Sequence, residues 1–519
     1  MSAAQLPPHR PSEPAGPAAR PRVDGSLRLL PADILLLVLA VTCTVALTWA
    51  LLRGEWGSIA TAMAVATCAA LVLSRTSLAR IRLHVVLASL ALLLPFLSVL
   101  GPALSVPAVR PLFAFRAVVA LLALLGTCRI LLGPATVTLG PKGLRTALTL
   151  WYAWMTVTLL WAPDKVAGLN YLLIVGTMMA LTFAVATCAS GHKTLRLLIW
   201  SLAAALALTI LLAGVELATG WHLPGSAAHT ATGGPKATAW FVNTNDMATF
   251  FAICWPFLLL AIFAFRSALL SASALLTLLA MAAIVLFTGS RTSLVSVGLE
   301  TVVAGIVAIR CGWVGGRRLV VATAFLLALV AGMAVLALND TDIPLLRQFR
   351  LAAVAEDIET GQGSGDVRLD LAKAGFAAAN RFFHAGVGPG NAEQLTKQSQ
   401  DVSVAFGNLH SWWFEVFVNS GLPGFVLFVM FFVGCIVVAG RSLGRAGTRV
   451  EAWLAASVLT ALIGFITGAF GPSSAASFAP MWILFGLALA VAVRARRPMT
   501  LTSQVPGCPQ MASGSGCGR

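Results

Sequence analysis

The sequence predicts an all-α protein that crosses a membrane many times. Hydrophobic residues make up 58% of the 519-residue chain, and charged residues make up 10%. Apolar runs recur along most of the chain, and about 20 apolar residues are enough for a helix to cross the hydrocarbon core of a bilayer. The Lys and Arg residues lie between these runs, so membrane topology explains the formal charge of +16 and no nucleic-acid partner is expected.

The apolar runs predict about fourteen membrane helices, within a range of about 12 to 14. The predicted spans are 32–52, 57–74, 83–105, 112–133, 145–161, 170–189, 197–218, 246–265, 268–288, 292–309, 319–337, 411–438, 451–470 and 478–493. The predicted organisation is a disordered tail (1–30), membrane helices 1–11 (31–338) with an external loop (219–245), a large external loop (339–410), membrane helices 12–14 (411–494) and a second disordered tail (495–519).

The basic residues predict the orientation of these helices. Placing the arginine-rich N-terminal tail inside and alternating from there puts 23 of the 35 Lys and Arg on the inside. Six of the remaining 12 lie in the large loop, where the positive-inside rule has little force. Both termini are therefore predicted to be cytoplasmic, and the two long loops are predicted to be external.

The large loop is predicted to contain short helices. The stretches "LLRQFRLAAVAEDIE" and "SGDVRLDLAKAGFAAANRFF" both show helical periodicity, and the second carries Arg368. Ser364 or Asp366 is its predicted N-cap. The apolar residues expected near one face of this helix are Val367, Leu371, Ala374 and Phe376.

Polar residues gather at the external ends of the predicted helices, and "FTGSRTS" is the first such motif. Arg291 lies between two spans that are about four residues apart, so its guanidinium is expected at the external interface. A snorkelling arginine at a helix end is one interpretation. The other is a phosphate-binding arginine that faces a polar cavity, with Ser290 as a supporting residue.

The motif "NTNDM" precedes the span 246–265 and holds Asn243, Asn245 and Asp246. Asn or Asp before a helix is an ordinary N-cap. Three such residues in four positions are more than one cap requires, so they are also candidate supporting residues of a site.

A glycine-rich turn, "GVGPGN", follows the loop helix and contains Gly386, Gly388 and Gly390. It is not a dinucleotide-binding fingerprint, because no strand precedes it. The glycines either let backbone approach a ligand closely or only turn the chain.

His410 opens the stretch "HSWWFEVFVNSGLPGF". A histidine beside Trp412 and Trp413 is typical of an aromatic belt at a membrane surface. Its ordinary pKa of about 6.5 also suits it to accept a proton from a hydroxyl group. Glu415 is a candidate supporting residue, although it lies about 140° around the helix from His410. The histidines are scattered and no metal site or cofactor is predicted.

Four motifs occur in an order that resembles the O-antigen ligase and O-antigen polymerase superfamily of bacterial membrane proteins. They are "NTNDMATFF", "LFTGSRTSLV", "VRLDLAKAGFAAANRFFHAGVGPGN" and "HSWWFEVFVNSGLPGF". The resemblance extends over about residues 240 to 440. One departure is Ser411, because the family often has Asn after the loop histidine.

The resemblance implies a glycosyltransferase of the GT-C type in the bacterial cytoplasmic membrane, with its active face external. Such enzymes take a glycan from an undecaprenyl-diphosphate donor and need no metal or nucleotide sugar. The family's external arginines would correspond to Arg291 and Arg368, which would bind the donor diphosphate. The loop histidine would correspond to His410, which would act on the hydroxyl of a glycan or lipid acceptor. Attack opposite the leaving group would invert the anomeric centre.

Two alternatives remain open. A flippase of the same lipid-linked precursor is expected to show a pseudo-repeat, short loops and charges near the middle of the membrane. The chain instead has one dominant loop and few charges within its spans, which favours the enzyme. In an envelope assembly protein, Arg291 and His410 would be dispensable.

Overall fold

Helices make up all the regular secondary structure that the computed structural model describes. The described residues are 93–100, 140–223, 237–314 except 242, 364–397 and 411–495 except 473, with side chains of the loop segment described from 370 to 396. All of them belong to one compact unit, Thr67–Arg519. After a helical segment at 93–100, the helices are α1 Lys142–Thr158, α2 Lys165–Ala189, α3 His192–Thr219, α4 Thr244–Ala264, α5 Ala268–Thr288, α6 Arg291–Arg310, α7 Ser364–Arg381, α8 Ala392–Lys397, α9 Trp412–Leu443, α10 Arg449–Gly468 and α11 Ala479–Arg494.

Seven of these helices are long and apolar enough to cross a membrane: α2, α3, α4, α5, α6, α9 and α10. They coincide with seven predicted spans, and α5 has the predicted limits of 268–288. The predicted spans 145–161 and 478–493 correspond to the shorter helices α1 and α11. A multi-pass helical membrane protein is therefore confirmed. The spans 32–52, 57–74, 112–133 and 319–337 and most of 83–105 lie outside the described residues, so the total of fourteen stays a prediction.

The helices alternate in direction, so the described bundle has two chemically different ends. We call one the loop end, because the turn between α1 and α2, the starts of α4, α6, α9 and α11 and the loop helices meet there. The opposite end, called the basic end, carries ten cationic residues. These are Lys142, Arg145, Lys193, Arg196, Arg266, Arg310, Arg441, Arg445, Arg449 and Arg494. All ten are residues that the sequence predicts to be inside, so the fold agrees with the predicted alternation.

A buried arginine ties together three segments at the basic end. Arg494 is 6% exposed, and its guanidinium lies 3.0 Å from Glu451 Oε1 and 3.0 Å from His192 Nδ1. A further bond runs to the carbonyl of Ser190. Because Arg494 ends α11, Glu451 begins α10 and Ser190 lies between α2 and α3, this contact fixes four helix ends together.

A buried carboxyl group lies in the middle of α6, where the sequence analysis expects few charges. Glu300 is 1% exposed and packs against Gly464 of α10. A Cβ at position 464 would overlap the Glu300 side chain. One turn closer to the loop end, Ser296 Oγ donates a 2.8 Å hydrogen bond to the carbonyl of Gly464. The glycine therefore lets α6 and α10 approach closely around two polar side chains.

The helix α9 is kinked at Gly421, which has a φ of 67° and a ψ of −175°. Pro423 follows and lacks the amide hydrogen that a continuous helix would need. The kink separates a first half, 412–420, from a second half, 422–443. At about 1.5 Å per residue the second half spans about 33 Å, which is enough to cross the hydrocarbon core alone.

Candidate active site at the loop end

The loop end brings together helix starts that are far apart in the sequence. The amide of Trp412, at the start of α9, donates a 2.8 Å hydrogen bond to the carbonyl of Ala469 at the end of α10. Gly471 lies beside the hydroxyl groups of Thr249 and Thr292, because a Cβ there would be 2.6 Å and 3.2 Å from their oxygens. The starts of α4, α6 and α9 and the end of α10 thus lie next to one another, with hydroxyl groups between them.

Arg291 is the first residue of α6, and its side chain is exposed at the loop end. Ser290 precedes it and is 3% exposed. The Ser290 hydroxyl makes no hydrogen bond to a backbone amide of the helix, and lies 3.0 Å from Ser293 Oγ and 3.4 Å from Thr292 Oγ1. The exposure of Arg291 fits both predicted interpretations, the snorkelling side chain and the phosphate ligand.

The motif around Asn243 begins α4, and Asn243 caps the helix. Its side-chain oxygen accepts a 2.8 Å hydrogen bond from the amide of Asp246. The carbonyl of Asn245 accepts a hydrogen bond from the Thr249 hydroxyl. Asp246 is 7% exposed in the first turn, where a carboxylate interacts favourably with the positive end of the helix dipole. The capping interpretation therefore describes Asn243, while Asp246 remains a buried polar group at the loop end.

The glycine-rich turn packs against the protein's own backbone. Gly386, Gly388 and Gly390 have φ values of 102°, 97° and 69°, which residues with a Cβ rarely adopt. A Cβ at Gly386 would be 2.7 Å from the carbonyl carbon of Ser420, next to the kink in α9. A Cβ at Gly388 would overlap Ala162 in the turn between α1 and α2.

The third glycine makes a similar approach to α2. A Cβ at Gly390 would lie 2.8 Å from the carbonyl oxygen of Ala167 and 2.9 Å from Tyr171 Cβ. The three glycines thus seat the large loop between the α1–α2 turn and the kink of α9. Their use for close approach to a ligand stays a prediction.

Asn391 completes this docking, and the sequence analysis misses it. It is fully buried, and its side-chain oxygen accepts a 2.8 Å hydrogen bond from the amide of Asp164. Its amide group donates to the carbonyls of Asp164 at 3.0 Å and Pro389 at 2.9 Å. Nearby, the Trp161 indole donates a 2.8 Å bond to the carbonyl of Gly386. The signal in the sequence was the Asn that ends "GVGPGN", but its partner Asp164 is 227 residues away.

The loop helix α7 begins at Ser364, one of the two residues predicted as its N-cap, and is held by a small apolar cluster. The buried members of this cluster are Leu371, Ala378, Val387, Ala392 and Val418. Leu371 and Ala374 are buried as expected, but Phe376 is 49% exposed and stacks on Phe417 instead. Arg368 belongs to the first half of α7, ahead of the described side chains.

His410 lies outside the described residues, as does the other predicted loop helix. Ser411, the residue after His410, is the N-cap of α9, and its hydroxyl accepts a hydrogen bond from the amide of Phe414 at 3.4 Å. Asn, the family's usual residue at that position, is an equally good N-cap, so the departure conserves the capping chemistry. Trp412 is 1% exposed inside the bundle, so the aromatic-belt interpretation is wrong for this residue.

Glu415 is buried and joins three segments of the loop end. The Tyr171 hydroxyl of α2 donates a 2.9 Å hydrogen bond to Glu415 Oε1, and the amide of Ala475 donates a 2.7 Å bond to Oε2. The Ser474 hydroxyl lies 3.4 Å from Oε1. One turn later, Asn419 receives a hydrogen bond from the amide of Ala392 in the loop. The start of α9 is therefore tied to α2, to the α10–α11 connection and to the loop.

A second buried glutamate holds the end of the smaller of the two predicted external loops. Glu216, near the end of α3, is fully buried and accepts 2.7 Å hydrogen bonds from the amides of Thr238 and Ala239. His222 Nδ1 lies 3.4 Å from its other oxygen. The sequence analysis did not single out Glu216, since a glutamate at a helix end resembles an ordinary solvated residue. This contact fixes the chain just before the Asn243 motif.

The arrangement offers the exposed guanidinium of Arg291, several buried hydroxyl groups and helix starts whose dipoles favour negative charge. Such a surface can bind an anionic group. Within the described residues, no three His, Cys, Asp or Glu side chains come together as metal ligands.

Comparison with known proteins identifies related sequences. The model of the O-antigen ligase family matches residues 276–429, which run from within α5 to within α9. The teichuronic acid biosynthesis protein TuaE of Bacillus subtilis (strain 168) is 23% identical over 367 residues, which cover 69% of this chain and 72% of that protein. These matches confirm the resemblance to the O-antigen ligase and polymerase superfamily. The family indicates a membrane glycosyltransferase that acts in polysaccharide biosynthesis.

Proposed function

We propose that the protein transfers a glycan from an undecaprenyl-diphosphate donor to an acceptor hydroxyl group at the outer face of the cytoplasmic membrane. The acceptor is a second glycan or a lipid, which corresponds to a polymerase or a ligase. The observation that carries this proposal is the family match over residues 276–429, because that segment contains Arg291, Arg368 and His410. The relationship to a teichuronic acid biosynthesis protein is also consistent with a cell-envelope glycan as substrate.

The proposed reaction is a single displacement at the donor sugar. His410 removes the proton of the acceptor hydroxyl as its oxygen attacks the anomeric carbon. The bond between that carbon and the diphosphate oxygen breaks, and its electron pair leaves with undecaprenyl diphosphate. Attack from the face opposite the leaving group inverts the anomeric configuration. A positioned general base of this kind contributes about 10²–10⁴-fold to the rate.

Arg291 and Arg368 are proposed to bind the departing diphosphate. Negative charge grows on this group in the transition state, so donors placed beside it stabilise the transition state more than the ground state. Each charged hydrogen bond contributes about 1.5–3 kcal/mol. Two guanidinium groups can therefore supply charge stabilisation without a metal ion. The exposure of Arg291 at the loop end and its position next to the buried Ser290 in the sequence support this role.

Alanine substitutions test the three assigned residues. We expect His410→Ala, Arg291→Ala and Arg368→Ala to insert normally and to lose at least about tenfold in glycan transfer, as loss of 1.4 kcal/mol or more of transition-state stabilisation predicts. Arg381→Ala is the matched control, since Arg381 is an exposed arginine in the last turn of α7. Full activity in both His410→Ala and Arg291→Ala would rule out the proposed mechanism.

A further inference from the structure

A large apolar side chain of the loop is almost completely exposed. Phe383 is 93% exposed and has a φ of 50°, which is rare for a bulky residue. Its backbone is nevertheless fixed: its amide bonds to the carbonyl of Asn380 at 3.1 Å, and the next amide, of His384, bonds to Ala379 at 3.0 Å. A phenylalanine held outward in a strained conformation presents a large apolar surface that no described residue covers.

The second half of α9 locates the edge of the membrane next to this residue. Arg441 is exposed at the basic end, and about 20 residues of helix cover the 30 Å of the hydrocarbon core. Counting back from Arg441 therefore puts the opposite edge near Leu422. A stripe of exposed apolar residues begins at the same position, as expected of a surface that faces lipid. Its members are Leu422, Val426, Met430, Val433 and Val437.

The turn that carries Phe383 runs along α9 towards the hydrocarbon core. The amide of Gly388 bonds to the carbonyl of Asn419 at 3.2 Å, and the carbonyl of His384 accepts a 2.8 Å bond from the amide of Leu422. Gly388 therefore lies beside the first half of α9, and His384 lies beside its membrane-spanning half. Phe383 is the residue before His384 in this turn.

Other exposed apolar side chains border the same turn. In the connection between α1 and α2, Leu160 is 75% exposed, and Trp161 is partly exposed while its indole bonds to the carbonyl of Gly386. A tryptophan with one polar contact and an exposed apolar ring is typical of the membrane interface.

We propose that the Phe383 turn, residues 382–385, inserts into the outer boundary of the bilayer and that phospholipid acyl chains contact the Phe383 ring. The turn continues the lipid-facing stripe of α9, which is why a membrane lipid fits this surface better than a protein partner. Such an anchor holds α7, with Arg368, at the depth of the lipid headgroups. The inference concerns the loop's contact with lipid, and it does not depend on the proposed function.

Photocrosslinking tests this contact. The full-length protein, with a photoreactive phenylalanine analogue at position 383, is reconstituted in phosphatidylethanolamine and phosphatidylglycerol vesicles and irradiated. We expect phospholipid adducts at position 383 by mass spectrometry. The matched control is position 373 of α7, where the Lys373 side chain is 67% exposed, and a much lower yield of phospholipid adducts is expected there.

Three results would overturn the proposal. They are adducts at position 383 that contain only protein, equal phospholipid yields at both positions, and polyprenyl lipid in place of phospholipid. A second variant provides the test if the protein that carries the analogue does not fold. Phe383→Trp should gain fluorescence that is lost in vesicles of brominated phospholipid, whereas Lys373→Trp should not lose it. Unquenched fluorescence from Phe383→Trp would also overturn the proposal.

Discussion

Single buried carboxyl groups fix the geometry of the loop end. Glu415 accepts hydrogen bonds from α2 and from the α10–α11 connection, and Glu216 accepts two backbone hydrogen bonds from the segment just before α4. Buried acceptors of this kind are costly to remove, because their former donors are left without partners. Neither glutamate needs to touch a substrate in order to matter for activity.

Glu415→Ala should therefore reduce stability and glycan transfer together. The substitution leaves Tyr171, Ser474 and the amide of Ala475 without an acceptor, and hydrogen bonds to charged groups contribute about 1.5–3 kcal/mol each. Tyr171→Phe removes only one of these hydrogen bonds, so it should cost about 1.5–3 kcal/mol and less than Glu415→Ala. Thermal unfolding in detergent measures both changes. A Glu415→Ala protein as stable as the parent would contradict the role of this contact.

Close approach at glycine residues determines how the helices pack. Gly464 of α10 lies against Glu300 of α6, whereas Gly298 of α6 has open space around it. A methyl group at position 464 must therefore displace a buried carboxyl group, and a methyl group at position 298 meets no atom.

Gly464→Ala is expected to destabilise the protein by about 1–3 kcal/mol, the usual range for overpacking, whereas Gly298→Ala should be close to neutral or stabilising. In the double variant Gly464→Ala/Glu300→Ala the clash is absent, so its loss of stability should be less than the sum of the two single losses. Thermal unfolding of the parent, Gly464→Ala, Glu300→Ala and the double variant measures the stabilities that this double-mutant cycle needs. Strict additivity would show that the Gly464 and Glu300 positions do not interact.

The helices could be predicted from the sequence because apolar periodicity and capping residues are local signals. The limits of α5 and the start of α7 follow from such signals. The kink at Gly421 and the docking of Gly386 could not be predicted, since each depends on a backbone segment distant in the sequence. For the same reason, Asn391 was missed as the residue that fastens the loop.

For the whole molecule, the two ends of the bundle differ in charge as the positive-inside rule requires. The ten cationic residues of the basic end are expected on the cytoplasmic side, which leaves the loop end, with Arg291 and Glu415, on the external side. A donor whose glycan is presented outside the membrane could then reach the loop end directly.

Reporter fusions test this orientation. Alkaline phosphatase, which folds only outside the cytoplasm, should be active when joined after residue 397 in the large loop and inactive after residue 314 at the basic end. Green fluorescent protein should show the opposite pattern. Active phosphatase after residue 314 would reverse the bundle and place the candidate site on the cytoplasmic side.

The most direct test of the central claim is to incubate the purified protein, in vesicles, with an undecaprenyl-diphosphate oligosaccharide and to analyse the lipid and glycan products. We predict release of undecaprenyl diphosphate together with a new glycosidic bond of inverted configuration, formed by the parent protein and not by His410→Ala. Longer lipid-linked glycans would identify a polymerase, and transfer to a different acceptor would identify a ligase. Movement of the donor across the bilayer without any covalent change would contradict the account and favour a transporter.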